Sequence, residues 1–313
     1  MASERRAMGV ISSLGDAAGE PRIDERTCTL CGACAEICPT GVLSEGGGAI
    51  RVDNSVHFGC IACGHCMMVC PSDSIVVTGR RLSPGDAVPL PPTDKRATAE
   101  QLEALLVSRR SVRRFAEGDV PRGLIERVIA AAATAPMGIP PWEVGITVFH
   151  GRDRVRHLAE DTARGYQAML KFMDNRLARP LLSLLMKRAA RAQLRTFILP
   201  LGRAIVEEWR AGRDAVFYGA PAALLFHSSP YADVADAVIA CTYAMVAAES
   251  LGLGTCMIGC AAPILARRKD LLKKHGIPEG HKPAIVLILG YPATKFLKAV
   301  RRPFLMVRGL DGR

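Results

Sequence analysis

Apolar and polar positions divide this chain into stretches of different period. From Thr98 onward, Leu102, Leu105 and Leu106 fall on one helical face. Thr98 and Gln101 have the spacing of a capping box, so a helix is predicted to begin there and to run into Ser108-Arg-Arg-Ser-Val-Arg-Arg-Phe115. A second helix is predicted in VPRGLIERVIAAAATAP, residues 120–136, with Pro121 in its first turn and Pro136 at its end. An apolar strand follows near Val144–Phe149. Residues 235–251, with alanines at close spacing, read as a buried helix, and 284–289 as a strand running into Gly290-Tyr291-Pro292. Residues 160–214 are helical and basic. Residues 81–97, RLSPGDAVPLPPTDKRA, are proline-rich without a period and read as a semi-rigid, extended connector.

The length of 313 residues suits two domains better than one, and 49% hydrophobic with 23% charged residues allows a packed core. The first 21 residues carry charge and no apolar signal region. The most apolar runs are broken by Arg, Asp, Pro or Gly, so no transmembrane segment is expected and the protein is placed in the cytoplasm. The net charge of +11 is compatible with nucleic acid, a membrane surface or acidic partners. Aromatic residues make up only 5%, too few for a base-stacking surface, so no nucleic acid is expected.

Eight of the 11 cysteines lie in the first 70 residues. Cys28, Cys31, Cys34 and Cys38 follow C-x2-C-x2-C-x3-C with Pro39 next; Cys60, Cys63, Cys66 and Cys70 repeat it 32 positions later, with Pro71 next. In a reducing compartment such clustering points to metal, and two quartets each ending in Cys-Pro do not match the paired ligands of zinc or a disulfide staple. Residues 22–80 resemble the bacterial two-cluster ferredoxins, in which the fourth cysteine of each run ligates the other cluster. The resemblance implies two [4Fe–4S] clusters, one on Cys28, Cys31, Cys34 and Cys70, the other on Cys60, Cys63, Cys66 and Cys38. His57 and His65 read as exposed loop histidines.

The Arg-rich segment interleaves a hydroxyl with guanidinium forks that suit phosphate oxygens. Arg109-Arg110-Ser111-Val112-Arg113-Arg114-Phe115 resembles the R-x-S-x-[RK]-x-[FY] signature of FMN-dependent nitroreductases. Ala135-Pro136-Met137-Gly138-Ile139-Pro140-Pro141-Trp142, Gly252-Leu-Gly-Thr-Cys-Met-Ile-Gly259 and the basic tail around Arg301 follow in the family's order, so the resemblance covers roughly 98–305. It implies an α+β fold: a nitroreductase-like FMN domain with a mixed or antiparallel sheet flanked by helices, homodimeric, preceded by the ferredoxin-like domain. It implies that Arg109, Ser111 and Arg110 hold the FMN phosphate with Arg301, and that Arg113 lies near the pyrimidine edge. Pro136, Met137 and Gly138 would line the ring, and Met257, Ile258 and Gly259 cover its other edge.

The sequence departs from the family at 136–142, where the usual Asn and Gln are absent, and at Met257, which replaces a common Trp. Cys241, Cys256 and Cys260 fit no metal spacing and read as small buried residues. Residues 160–214 are expected to form a lid. Its Lys187, Arg188, Arg191 and Arg195 read as a solvated face, or as a site for an anionic substrate or an acidic donor protein. Leu181, Leu182, Leu184, Leu185 and Met186 leave a peripheral membrane contact open. The expected division is 1–21 extension, 22–80 ferredoxin domain, 81–97 linker and 98–313 FMN domain.

Clusters move one electron at a time and flavin accepts one or two, so the pairing suits a ferredoxin-coupled FMN reductase of a small electron-poor molecule: a nitroaromatic, quinone or enone. A different reductive reaction such as dehalogenation, or a non-catalytic electron-transfer or redox-sensing module serving a protein partner, are the other readings. No G-x-G-x-x-G follows a strand, and no side chain stands out as an acid or base.

Overall fold

The computed structural model describes residues 18–56, 59–138, 143–174 and 186–309. Its N-terminal part is a duplicated unit. β1 (Glu20–Ile23) pairs antiparallel with β4 (Ile75–Thr78), and β2 (Leu43–Gly46) with β3 (Ala49–Val52). Two short helices, α1 (Ala33–Glu36) and α2 (His65–Val69), begin at Gly32 and Gly64, both left-handed with φ of 74° and 73°. Left-handed residues recur at the sequence offset: Leu30 with Ala62, Gly41 with Asp73, Gly47 with Gly79. The duplication is therefore a repeat of backbone conformation as well as of cysteines. A small core of Leu43, Met67, Ile75 and Val77, with the cysteines packed against it, fills the space between the ribbons.

α3 (Ala99–Ser108) starts as expected: the Thr98 side chain accepts from the Gln101 N–H at 3.3 Å, and Gln101 Oε1 accepts from the Thr98 N–H at 3.0 Å. This satisfies two donors that a helix start otherwise leaves open. α4 (Arg122–Ala132) follows Pro121. The sheet is antiparallel, in the order β5 (Val144–His150), β6 (Ala222–Ser228), β8 (Lys282–Gly290), β7 (Gly254–Ile258).

Alternation along β6 explains the two cores. Leu225 joins Phe149, Leu158, Tyr166 and Ile205 on one face; Leu224 and Phe226 join Val128, Ala240 and Ala244 on the other. The first face is covered by α5 (Arg152–Met173) and by α7 (Leu199–Arg210), which is reached from the exposed α6 (Arg188–Gln193) through a π turn (Leu194–Ile198). α4 and α8 (Val234–Ser250) cover the second. Alanines on α8 bring it close to β6 and β8, as expected of a buried helix, while Val234, Ile239 and Tyr243 on the same helix are exposed.

The expected insert begins inside α5, whose Ala163, Tyr166 and Leu170 are core residues. The amphipathic pattern is strong enough to carry one helix across the boundary. Of the residues singled out above, His57, residues 139–142, Leu181, Leu182, Leu184 and Leu185 lie outside the described residues.

Candidate functional site

Two narrow cavities open in the duplicated unit. Cys28, Cys31, Cys34 and Cys70 line one, with Ile23 and Ile75; Cys38, Cys60, Cys63 and Cys66 line the other, with Val42 and Val77. Each quartet thus combines three cysteines of one repeat with the fourth of the other. Among the described residues no group of three or more His, Cys, Asp or Glu side chains is placed to hold a metal ion. The sulfurs instead surround a space, as a multi-iron cluster requires, and the donor set fits it.

The two crossing cysteines share a microenvironment. Burial raises the Cys38 thiol, but backbone N–H groups of Leu43, Thr40 and Val42 and the Thr40 hydroxyl outweigh it, and its pKa lies below the ordinary value. Cys70 is likewise lowered, with Ser72, Ser74 and Ile75 opposing burial. The Cys70 sulfur accepts from the Ser74 N–H at 3.2 Å. Donors around sulfur favour the thiolate, the ligating form. Burial pushes Cys66 up to about 12, with neighbouring thiols adding to the rise. His65 is exposed at the start of α2 and lines the second cavity.

In the larger domain the segment after α3 is laid along the sheet. The Val112 N–H donates to the Thr255 carbonyl at 2.8 Å, and that of Ala116 to the Tyr291 carbonyl at 2.8 Å. Gly254 is required there, because a Cβ would meet Val112 at 2.6 Å. This anchoring presents Arg109, Arg110, Ser111 and Arg113 to a cavity of about 920 Å³, and the C-terminal tail closes it with Phe296, Val300, Arg301 and Arg302. No acidic side chain lines it among the described residues. Five arginines and a hydroxyl make a donor set suited to a phosphate ester.

A second cavity, about 530 Å³, shares Arg113 with the first. Cys256, Met257, Ile258 and Gly259 form one wall, and Tyr166, Met169, Ile205 and Phe197 others. The expected contacts are therefore gathered except Pro136, Met137 and Gly138, which line neither cavity. Met137 packs with Met257 against the core under α4 and α8. Cys241 and Cys256 are buried; burial pushes Cys241 up to about 12.

Sequence reasoning missed Tyr218. Its φ of 56° is left-handed, where a bulky residue is strained, and it is the only such non-glycine beyond Arg81 among the described residues. Asp214 holds the turn: its carboxylate accepts from the N–H groups of Val216 and Phe217, both at 2.9 Å, and of Gly219 at 3.1 Å. Arg152 donates to the carbonyls of Gly219 and Ala116. The turn sets the Tyr218 ring in the cavity wall with the Arg113 guanidinium 5.8 Å from its centroid, within cation–π range. No motif signals this, because the strain arises only in the folded loop. Away from both cavities, His227 is buried and held below its ordinary value, to about 4, by burial and by His281. Its ring lies over Gly145, where a Cβ would meet it at 2.1 Å.

An α+β domain with an antiparallel four-stranded sheet and a basic cradle, joined to a duplicated module with two cysteine-lined cavities, defines a two-part redox scaffold. The chain belongs to the nitroreductase family, whose profile matches residues 106–291, and a 4Fe-4S dicluster domain profile matches residues 20–71. Comparison with the curated proteins finds no match. Among solved structures it is similar to a nitroreductase with bound FMN from Desulfitobacterium hafniense, at 23% identity over 65% of this chain and 94% of that one, TM-score 0.47. A nitroreductase with bound FMN from Bacteroides fragilis gives 19% identity over 68% and 98%, TM-score 0.48. No helix among the described residues is long and apolar enough to cross a membrane.

Proposed function

We propose that this protein passes low-potential electrons through two [4Fe–4S] clusters to FMN and reduces a small electron-poor organic molecule such as a nitroaromatic, quinone or enone. The observation that carries the reading is the pair of cavities joined at Arg113, one basic and lined by no acid among the described residues, the other mostly apolar. Arg109, Arg110, Ser111 and Arg301 would hold the FMN phosphate, and Met257, Ile258 and Gly259 would border the ring. Arg113, braced on Tyr218, would face the pyrimidine edge, where a fixed cation favours the anionic reduced form. When bound, FMN supplies the conversion of single electrons into a two-electron reduction. No side chain at the cavity is assigned as acid or base, and protons come from solvent.

Two copies fit this reading. Pro136, Met137 and Gly138 stand away from the cavities of their own chain, and a second copy would bring them to the ring. Leu102, Leu106 and Val107 on α3 and Tyr243 on α8 supply exposed apolar surface for that contact. The parts are assigned as a 22–80 ferredoxin domain, an 81–97 linker and a 98–313 FMN domain behind a 1–21 extension, in a cytoplasmic protein served by a ferredoxin-type or other electron donor. The test is anaerobic purification with iron, sulfide and flavin quantified. About eight irons and one FMN per chain are expected from the ligand count. A chain with full iron and no flavin would instead make a protein-to-protein electron carrier the better account.

A further inference from the structure

The charge lining the smaller cavity is one-sided. Its walls are mostly apolar, including Met169, Leu201, Ile205, Val216 and Ile264, and its only charged lining residues are Arg113 and Arg267, with no Asp or Glu among those described. Arg113 is committed to the Tyr218 ring and to the neighbouring phosphate cradle. Arg267 has no such commitment. It follows α9 (Ala262–Leu265), is exposed at the cavity, and makes no ion pair among the described residues.

The carboxylates near Arg267 are taken. Asp270 binds the Arg268 guanidinium at 2.9 and 2.6 Å, and buried Asp161 binds Lys274 at 2.6 Å and His275 at 2.9 Å. The Tyr166 hydroxyl, beside Arg267, donates to the Cys260 carbonyl at 3.0 Å. Gly202 lies so close that a Cβ there would meet the Tyr166 ring at 2.8 Å, which keeps that ring in the wall. The helical run on the other side contributes Gln193 and Phe197 to the lining and no acid, since no Asp or Glu occurs between Asp174 and Glu207. A lone guanidinium at the edge of apolar walls suits one carboxylate fork.

We propose that the substrate of this site is a small, flat, apolar anion, an aromatic or conjugated carboxylate, with its ring on the apolar wall and its carboxylate on Arg267. This rests on the reading of the cavity as the substrate site and adds the ligand's charge to it. A small molecule is favoured over an acidic protein because Arg267 lines the chamber itself rather than its outer surface.

The test is equilibrium titration of the FMN-loaded protein with benzoate and with benzamide, equal in shape and different in charge, followed by the flavin spectrum. Benzoate is expected to bind about tenfold more tightly, the size of one charge-assisted contact. The affinity ratio should fall to near one in Arg267→Gln and largely persist in Arg267→Lys. Equal affinities in the unaltered protein, or a benzoate preference that survives Arg267→Gln, overturn the proposal. If the protein binds no flavin, the functional reading fails separately, and the same pair titrated by calorimetry still decides the charge preference.

Discussion

The cysteine module and the flavin-type domain are built on opposite principles. In the module, all eight cysteines that line the cavities come from two short runs, and a repeated backbone conformation places them. In the larger domain the cavities draw on residues from Leu106 to Arg302. A site made from local spacing is fixed once its loop is fixed; a site made across a sheet exists only when the whole domain has folded. Damage to the first should therefore be confined to one cluster, whereas damage to the second should spread from packing to ligand.

The largest expected effect tests the crossing of the repeats. Cys70→Ser should abolish the cluster of Cys28, Cys31 and Cys34 while sparing the other, taking iron from about eight to about four per chain. Cys38→Ser should do the reverse, and cluster-selective electron paramagnetic resonance distinguishes them. If Cys70→Ser instead disturbed the cluster of Cys60, Cys63 and Cys66, the pairing would be wrong. Next, Arg109→Ala should weaken FMN binding by about 10- to 100-fold, as expected for loss of a charge-assisted contact, with iron content unchanged. Fluorescence titration of the flavin measures it.

A smaller effect joins packing to ligand. Gly254→Ala would drive a methyl group into Val112 and shift the arginine segment, at a cost of about 1–3 kcal/mol by overpacking. Both melting temperature and FMN affinity should fall. An equivalent loss of stability with FMN affinity intact would show that the cradle does not depend on this anchor.

A further effect, confined to low pH, is one of protonation. His227 is neutral when folded, its pKa lowered to about 4 by burial and by His281, against an unfolded value near 6.5. The unfolded chain binds the proton more readily, so stability is full above about pH 6.5 and is lost as pH falls toward 4. The ring meets Thr147 through Nε2 and His281 through Nδ1, and Glu143 lies near His281. His227→Gln should flatten the melting temperature over that range while leaving the iron content unchanged.

The same contrast sets how much was legible in the sequence. The quartets could be read from spacing, the start of α3 from Thr98 and Gln101, and most arginines of the basic cavity from a short segment. Tyr218 could not, because its strain depends on Asp214 and Arg152 meeting the turn from elsewhere. The extent of α5 across 160 was not legible for a related reason: charge dominates the surface of the helix, while its core face shows only as widely spaced Leu158, Tyr166 and Leu170. Arg267 carries no pattern at all; only the pairing of Asp161 and Asp270 with other cations sets it apart.

The central claim is that electrons entering the cysteine module reach the flavin. Stopped-flow reduction of the reconstituted protein, with cluster and flavin bleaching followed together, tests it directly. The account predicts that clusters reduce first and flavin follows, and that flavin reduction slows sharply in Cys70→Ser although FMN is still bound. Flavin that reduces at the same rate in both proteins would contradict it.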